Sequence, residues 1–293
     1  MRVAAIEGGG TKFLAAVGNS NTITGRYTRI ATTTPKETFS LLLDYLRTQY
    51  KNEPFSAIGI GSFGPLGVDP HSGNYGVIGP TTKPHWSQVS YPEALGEFQV
   101  PLAITTDVNA AALAEATSGA GRGCKRVIYV TVGTGIGGGF VVNGQLSHGQ
   151  FHPEMGHMRV TIHPDDPMPD GFCHFHGNCL EGLACGPAIE KRWRGHLGTL
   201  DKNHLGVKLQ ANYLAQMCVN LLLTMTPDAI ILGGGVMQTP SLLPKIRREL
   251  QKLMNHYLPQ HSSDAAVNAL IKAPAYAPSA GLIGAALLAE GLR

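Results

Sequence analysis

Cys173, His176 and Cys179 follow one another as C-x2-H-x2-C, and His157 stands upstream of them. Two thiolates and two imidazoles form the donor set of a tetrahedral metal ion, and zinc suits that set best. His174 is a competing ligand in the same run, whereas Cys185 reads as a small core residue. The chain has five cysteines, an odd number, and no export signal, so a reducing cytoplasmic setting with free thiolates is expected rather than disulfides. The stretch 163–171 before Cys173 is rich in proline and aspartate and has no apolar periodicity. It reads as a surface loop, and a metal would hold the segment after it, which packing cannot.

A second chemistry lies in the glycines, which number 37 in 293 residues against a usual share of about 7%. Apolar runs at 2–6 and 13–17 flank Glu7, Gly8, Gly9, Gly10, Thr11 and Lys12. Runs at 126–132 and 140–142 flank Gly133 to Gly139, and the run 229–232 leads into Gly233, Gly234 and Gly235. Glycine permits φ > 0 and lets main-chain N–H groups approach an anion closely, so three strand-borne glycine turns suit a polyphosphate. Singly, each would serve a tight hairpin equally well. No Gly-Lys pair occurs, which excludes a P-loop. Gly133, Gly135 and Gly138 satisfy G-x-G-x-x-G, but the dinucleotide fingerprint opens a helix, whereas Phe140-Val141-Val142 continues as strand.

Asp107 ends a strand-like run, Leu102 to Thr105, and opens an alanine-rich helical stretch, Val108 to Ser118. A carboxylate at such a junction caps the helix or faces a cleft as a general base, and the residues alone leave both open.

These groups need rigid elements to position them. Helical spacing at 36–50 and helical stretches at 187–194, 210–224, 242–253 and 280–291 alternate with short apolar strands, the pattern of an α/β fold. The strand, glycine turn, strand unit occurs twice, at 2–17 and 126–142, which suggests a duplicated domain. Trp86 and Trp193 read as packing anchors, and His148 to His152 as a lid or surface segment. A net charge of +3 with scattered Lys and Arg, densest at Lys191, Arg192 and Arg194, is no nucleic-acid stripe. No apolar run approaches the roughly 18 residues of a membrane span, so neither nucleic acid nor membrane is expected as a partner.

Six motifs then resemble the ROK sugar kinases in order and spacing along the full chain. They are Glu7 to Lys12 (E-G-G-G-T-K), Thr106 to Glu115 (T-D-V-N-A-A-A-L-A-E), Gly133 to Gly139 (G-T-G-I-G-G-G), Glu154 to His157 (E-M-G-H), Cys179 to Glu181 (C-L-E) and Leu232 to Gly235 (L-G-G-G). Cys173 to Glu190 and Gly61 to Leu66 are similar to the bacterial zinc-containing fructokinase branch. The resemblance implies an actin-like ATPase (ribonuclease-H-like) duplicated fold with two lobes and a cleft. Its smaller N-terminal lobe would span 1–118 with the last helix, 280–293, and its larger lobe 119–279. It implies ATP-dependent phosphorylation of D-fructose at the 6-hydroxyl, with lobes that close and exclude water.

By the same resemblance Asp107 is the catalytic base. Gly9, Gly10, Thr11, Lys12, Gly133, Thr134 and Gly135 hold the ATP phosphates with Mg2+, and Pro187, Gly233, Gly234, Gly235 and Gln238 flank the adenosine. Asn109, Glu154, His157 and Glu181 contact the sugar, with Ser62, Phe63 and Gly64 along its remaining wall. His157, Cys173, His176 and Cys179 bind Zn2+. Glu7 stands where aspartate is commoner, and Thr106 where asparagine is commoner. Family habit implies a homodimer. Two alternatives are a kinase for mannose, glucose or an N-acetylhexosamine, and a sugar-sensing repressor. The repressor needs a DNA-binding helix-turn-helix before the first glycine turn, and six residues precede Glu7.

Overall fold

The computed structural model describes every residue except Thr24, His148, Gln150, Ala277, Pro278 and Arg293, so the expectation for His148 lies outside the described residues. In chain order the elements begin β1 (Val3–Gly8), β2 (Lys12–Gly18), β3 (Thr28–Ala31), α1 (Pro35–Asn52), β4 (Ile58–Ser62), α2 (Tyr91–Leu95), β5 (Leu102–Thr106) and α3 (Asp107–Thr117). They continue with β6 (Arg126–Val132), β7 (Ile136–Val142), β8 (Gln145–Leu146), α4 (Leu180–Ala184), α5 (Gly186–Trp193) and α6 (Leu205–Met225). The last are β9 (Ala229–Gly233), α7 (Leu242–Met254), α8 (Asp264–Leu270), β10 (Ile271–Lys272) and α9 (Ala280–Glu290). α6 begins five residues before the expected start because His204 Nδ1 accepts from Gly206 N–H and caps it.

The chain divides into two compact units. Unit 1 is Met1–Glu115, Leu146–His152 and Pro278–Arg293, and unit 2 is Ala116–Gln145 and Pro153–Ala277. Compared with the expected lobes, 146–152 packs with unit 1. The sheet of unit 1 has the order β3-β2-β1-β4-β5, and the second sheet runs β8-β7-β6-β9-β10. In each, an antiparallel hairpin (β1 with β2, β6 with β7) is followed by a parallel partner of its first strand (β4, β9). A last parallel strand (β5, β10) completes each. The two sheets repeat one ribonuclease-H-like topology, as the duplicated sequence pattern predicts.

One side of the unit 1 sheet packs Phe13, Phe39, Trp86 and Tyr91, with Phe13 and Trp86 ring centroids 5.4 Å apart. Trp86 is fully buried and its Nε1 donates to Thr33 O at 2.8 Å, the anchor expected of it. α9 crosses the sheet at its glycines: a Cβ on Gly59 would lie 1.7 Å from Ala285 O, and one on Gly284 1.7 Å from Ala110 O. In unit 2 the long α6 is the centre of the core, burying Tyr213, Leu214, Met217 and Cys218 completely. Among the described residues no helix is long and apolar enough to cross a membrane.

Candidate active site

In unit 1 the parallel register places Glu7 beside Gly61 and Gly61 beside Thr105, so Asp107 emerges one residue past the end of β5. The cap of α3 is Thr106, whose Oγ1 accepts from Asn109 N–H at 3.2 Å. Asp107 is thus the first helical residue rather than the N-cap, and its carboxylate takes only neighbouring N–H groups. One of its oxygens accepts from Val108 N–H at 2.9 Å. Burial pushes the Asp107 carboxyl up to about 6, while the Val108 and Asp107 N–H groups and the nearby His152 hold it down. His152 itself is buried, packed where a Cβ on Gly64 would lie 3.4 Å from its Nε2.

The first glycine turn lies beside this carboxylate's sheet. Gly9 N–H donates to Lys12 O at 2.9 Å, Thr32 Oγ1 to Gly9 O at 2.7 Å, and Phe63 N–H to Gly8 O at 2.7 Å. Gly10 and Thr11 remain exposed at the tip. Ser62, expected along the sugar wall, is instead fully buried, with its hydroxyl 2.7 Å from that of Tyr91. Asn109, expected at the sugar, is also enclosed: it is 1% exposed and its Nδ2 donates to Thr105 Oγ1 at 3.1 Å. Its amide nitrogen is thus taken up by β5, while its Oδ1 is buried with no hydrogen-bond partner among the described residues.

In unit 2 strand β7 is the platform. Ile136 N–H donates to Glu181 Oε2 at 2.8 Å, and that oxygen lies 2.7 Å from where a Cβ on Gly135 would be. Gly156 lies so close to Ile136 that a Cβ would approach its carbonyl oxygen to 1.9 Å, and Met155 covers Gly138. The E-M-G-H turn and Glu181 are thus brought together at the start of β7, with Glu154 exposed and His157 half-buried. Glu181 makes no cap on its own helix; it braces the second glycine turn, a bond no sequence signal announced.

That turn is closed by Gly133 N–H donating to Gly135 O at 2.9 Å, and Gly133 O accepts from Gly186 N–H at 2.7 Å, which brings Pro187 at the start of α5 beside it. Gly234 is held at φ +92°, with its Cβ position 2.4 Å from Val132 O, so only glycine fits there. Thr134, Gly235 and Gln238 are exposed on this side.

His157, Cys173, His176 and Cys179 offer four ligand atoms within 4.8 Å of one another. His157 and His176 Nδ1 are 3.3 Å apart, Cys179 Sγ and His157 Nδ1 3.5 Å, and Cys173 Sγ lies 3.8 Å from either imidazole. A tetrahedron built on Zn–N of about 2.0 Å and Zn–S of about 2.3 Å has edges of about 3.3 Å between nitrogens and about 3.5 Å from nitrogen to sulfur. The donor set and spacing therefore fit zinc. His176 rather than His174 joins this group, and the His174 ring packs edge-on against Phe175.

A model of the ROK family matches residues 3–291. The chain belongs to the ROK family. This ROK chain is 40% identical to the fructokinase of Zymomonas mobilis subsp. mobilis over 290 residues, covering 97% of the chain and 95% of that protein. It is 42% identical to the fructokinase of Pediococcus pentosaceus over 258 residues, 88% of each. Among solved structures, the ROK hexokinase of Thermus thermophilus is 28% identical with a TM-score of 0.72, covering 99% of this chain and 98% of that one. The actin-like, duplicated α/β fold of the ROK chain agrees with both the resemblance and the repeated sheet topology.

Proposed function

We propose that this chain is an ATP-dependent fructokinase that phosphorylates the 6-hydroxyl of D-fructose, with Asp107 as general base. The observation that carries the reading is the state of Asp107. Thr106 holds the N-cap position of α3, so the Asp107 carboxylate takes only the N–H groups of Val108 and its own residue, and a value pushed up to about 6 leaves it ionised at neutral pH yet a better proton acceptor than an ordinary aspartate. Identity of 40% or more to fructokinases across most of both chains supports the substrate.

In the reaction Asp107 takes the proton from the 6-hydroxyl as that oxygen bonds to the γ-phosphorus and the bond to the ADP oxygen breaks. The phosphate contacts assigned by the resemblance are Gly9, Gly10, Thr11 and Lys12 on the first glycine turn and Gly133, Thr134 and Gly135 on the second, through main-chain N–H and hydroxyl groups. Mg2+, when bound, neutralises phosphate charge. Pro187, Gly233 to Gly235 and Gln238 flank the adenosine, and Glu154, His157 and Glu181 orient the sugar. His157 turns Nδ1 toward the zinc ligands, so Nε2 is the nitrogen left for a sugar hydroxyl. We assign the protein to the cytoplasm as a homodimer.

The test is ADP release with ATP, Mg2+ and a panel of fructose, mannose, glucose and N-acetylhexosamines, repeated with Asp107→Asn. Fructose-dependent turnover that the substitution abolishes is expected. Preference for another hexose would replace the substrate, and undiminished turnover in the variant would reject Asp107.

A further inference from the structure

Asp166 belongs to the proline- and aspartate-rich stretch before Cys173, yet unlike Asp165 and Asp170 it is buried. Its Oδ1 lies 2.9 Å from Nε of Arg192 on α5, with the two side chains 0% and 2% exposed. The same oxygen accepts from Met168 N–H at 2.8 Å, and Oδ2 accepts from the Tyr213 hydroxyl of α6 at 2.6 Å. That hydroxyl in turn accepts from His163 N–H at 3.2 Å. Burial and the Asp166 carboxylate push Tyr213 up, so it stays a donor.

The same scaffold grips the other flank of the metal-ligand run. Arg192 Nη1 donates to Leu183 O at 2.9 Å, and Gln210 Nε2 on α6 donates to Ala184 O at 2.8 Å. Between these anchors the ligand loop closes on itself, with Cys173 and Gly177 exchanging N–H···O bonds at 2.9 Å. Arg192, part of the densest basic cluster in the sequence, is therefore not a solvated charge. It joins the loop ahead of Cys173 to the helix behind Cys179.

We propose that the Asp166–Arg192–Tyr213 triad, rather than the metal, folds this segment and presents a preformed four-ligand site that loses and regains its ion without unfolding. The inference rests on the zinc site proposed above. A loop already pinned at both ends loses little further freedom when a metal binds, so the triad raises metal affinity by pre-organisation. The ion is then left to orient the His157 imidazole, and these three side chains are positioning residues for it.

The test removes metal from the purified full chain with a chelator and returns Zn2+ or Co2+. The chelated wild type is expected to keep its amide hydrogen-exchange protection at 163–171 and to regain a tetrahedral Co2+–thiolate absorption band on mixing. The charge-neutral double variant Asp166→Asn with Arg192→Gln should bind Zn2+ at least about tenfold more weakly in chelator competition, and should lose protection at 163–171 when chelated. Tyr213→Phe, which leaves the charge pair intact and guards against failure of the double variant to fold, should move in the same direction by less. Gly284→Ala, a destabilising change in unit 1, should retain wild-type metal affinity and so separate positioning from general stability. Loss of protection at 163–171 on chelating the wild type, or wild-type affinity in both triad variants, overturns the proposal alone. Failure of the wild type to take up either ion would sink the zinc site and this inference with it.

Discussion

Glu7 fills the space that Gly281 leaves empty: a Cβ on Gly281 would lie 2.7 Å from Cδ of Glu7. The carboxyl thus rests on the first turn of α9, where Leu282 N–H bonds it, while its Oε2 is buried without a partner. Burial, then the charge of Asp107, push Glu7 from an ordinary 4.5 up to about 7, against the opposing pull of Lys12 and Leu282. A carboxyl raised on folding stabilises fully below about pH 4.5, and that contribution is lost as pH rises through about 7. The Glu7→Gln variant mimics the protonated form and keeps the contribution. It should match the wild type near pH 5 and exceed it at pH 8 by up to about 3 kcal/mol in urea denaturation. A gap that does not widen between those pH values would show that Glu7 does not titrate there.

Asp107→Asn removes the proton acceptor and should lower kcat by at least about a hundredfold with fructose, with little change in nucleotide binding. In the wild type, kcat should fall as pH drops below about 6, because the protonated carboxyl cannot act as a base. His152→Gln removes a group that holds Asp107 down, so the acid limb should move to higher pH. An unmoved limb in a full pH profile would dismiss His152 as an influence on the base.

Gly284→Ala places a Cβ 1.7 Å from Ala110 O, where neither α9 nor α3 can yield without separating. Overpacking of this kind costs about 3 kcal/mol, and the backbone contact puts it at the high end. Chemical denaturation should show the loss in unit 1, and a neutral result would mean that the two helices do not cross this closely.

Protein purified without chelator should carry about one zinc per chain by elemental analysis, as four protein ligands define a single closed site. Cys173→Ser should lose most of that metal. Equal metal content in the variant would move the site elsewhere.

Much of this architecture was legible in the chain. Apolar runs ending in glycines gave β1, β6 and β9 and the duplication, because a strand that stops at a tight turn must change residue type there. The C-x2-H-x2-C spacing named three of the four donor side chains that the fold gathers within 4.8 Å of one another, since they lie within seven residues of chain. Direction is what the sequence leaves out: Asn109 and Ser62 are buried, and the Arg192 side chain, within the densest basic cluster of the sequence, turns inward onto Asp166.

The residue types and their local spacing decided the family, the α/β class, the glycine turns and the ligand run, all of which follow from short-range backbone geometry. Only the folded chain decided that Thr106 rather than Asp107 caps α3, that Glu181 braces the second glycine turn, and that Asp166 meets Arg192. Those pairings join segments far apart along the chain, or depend on which way one side chain turns. Packing fixes both, because a buried polar group must find its partner wherever the fold has brought one.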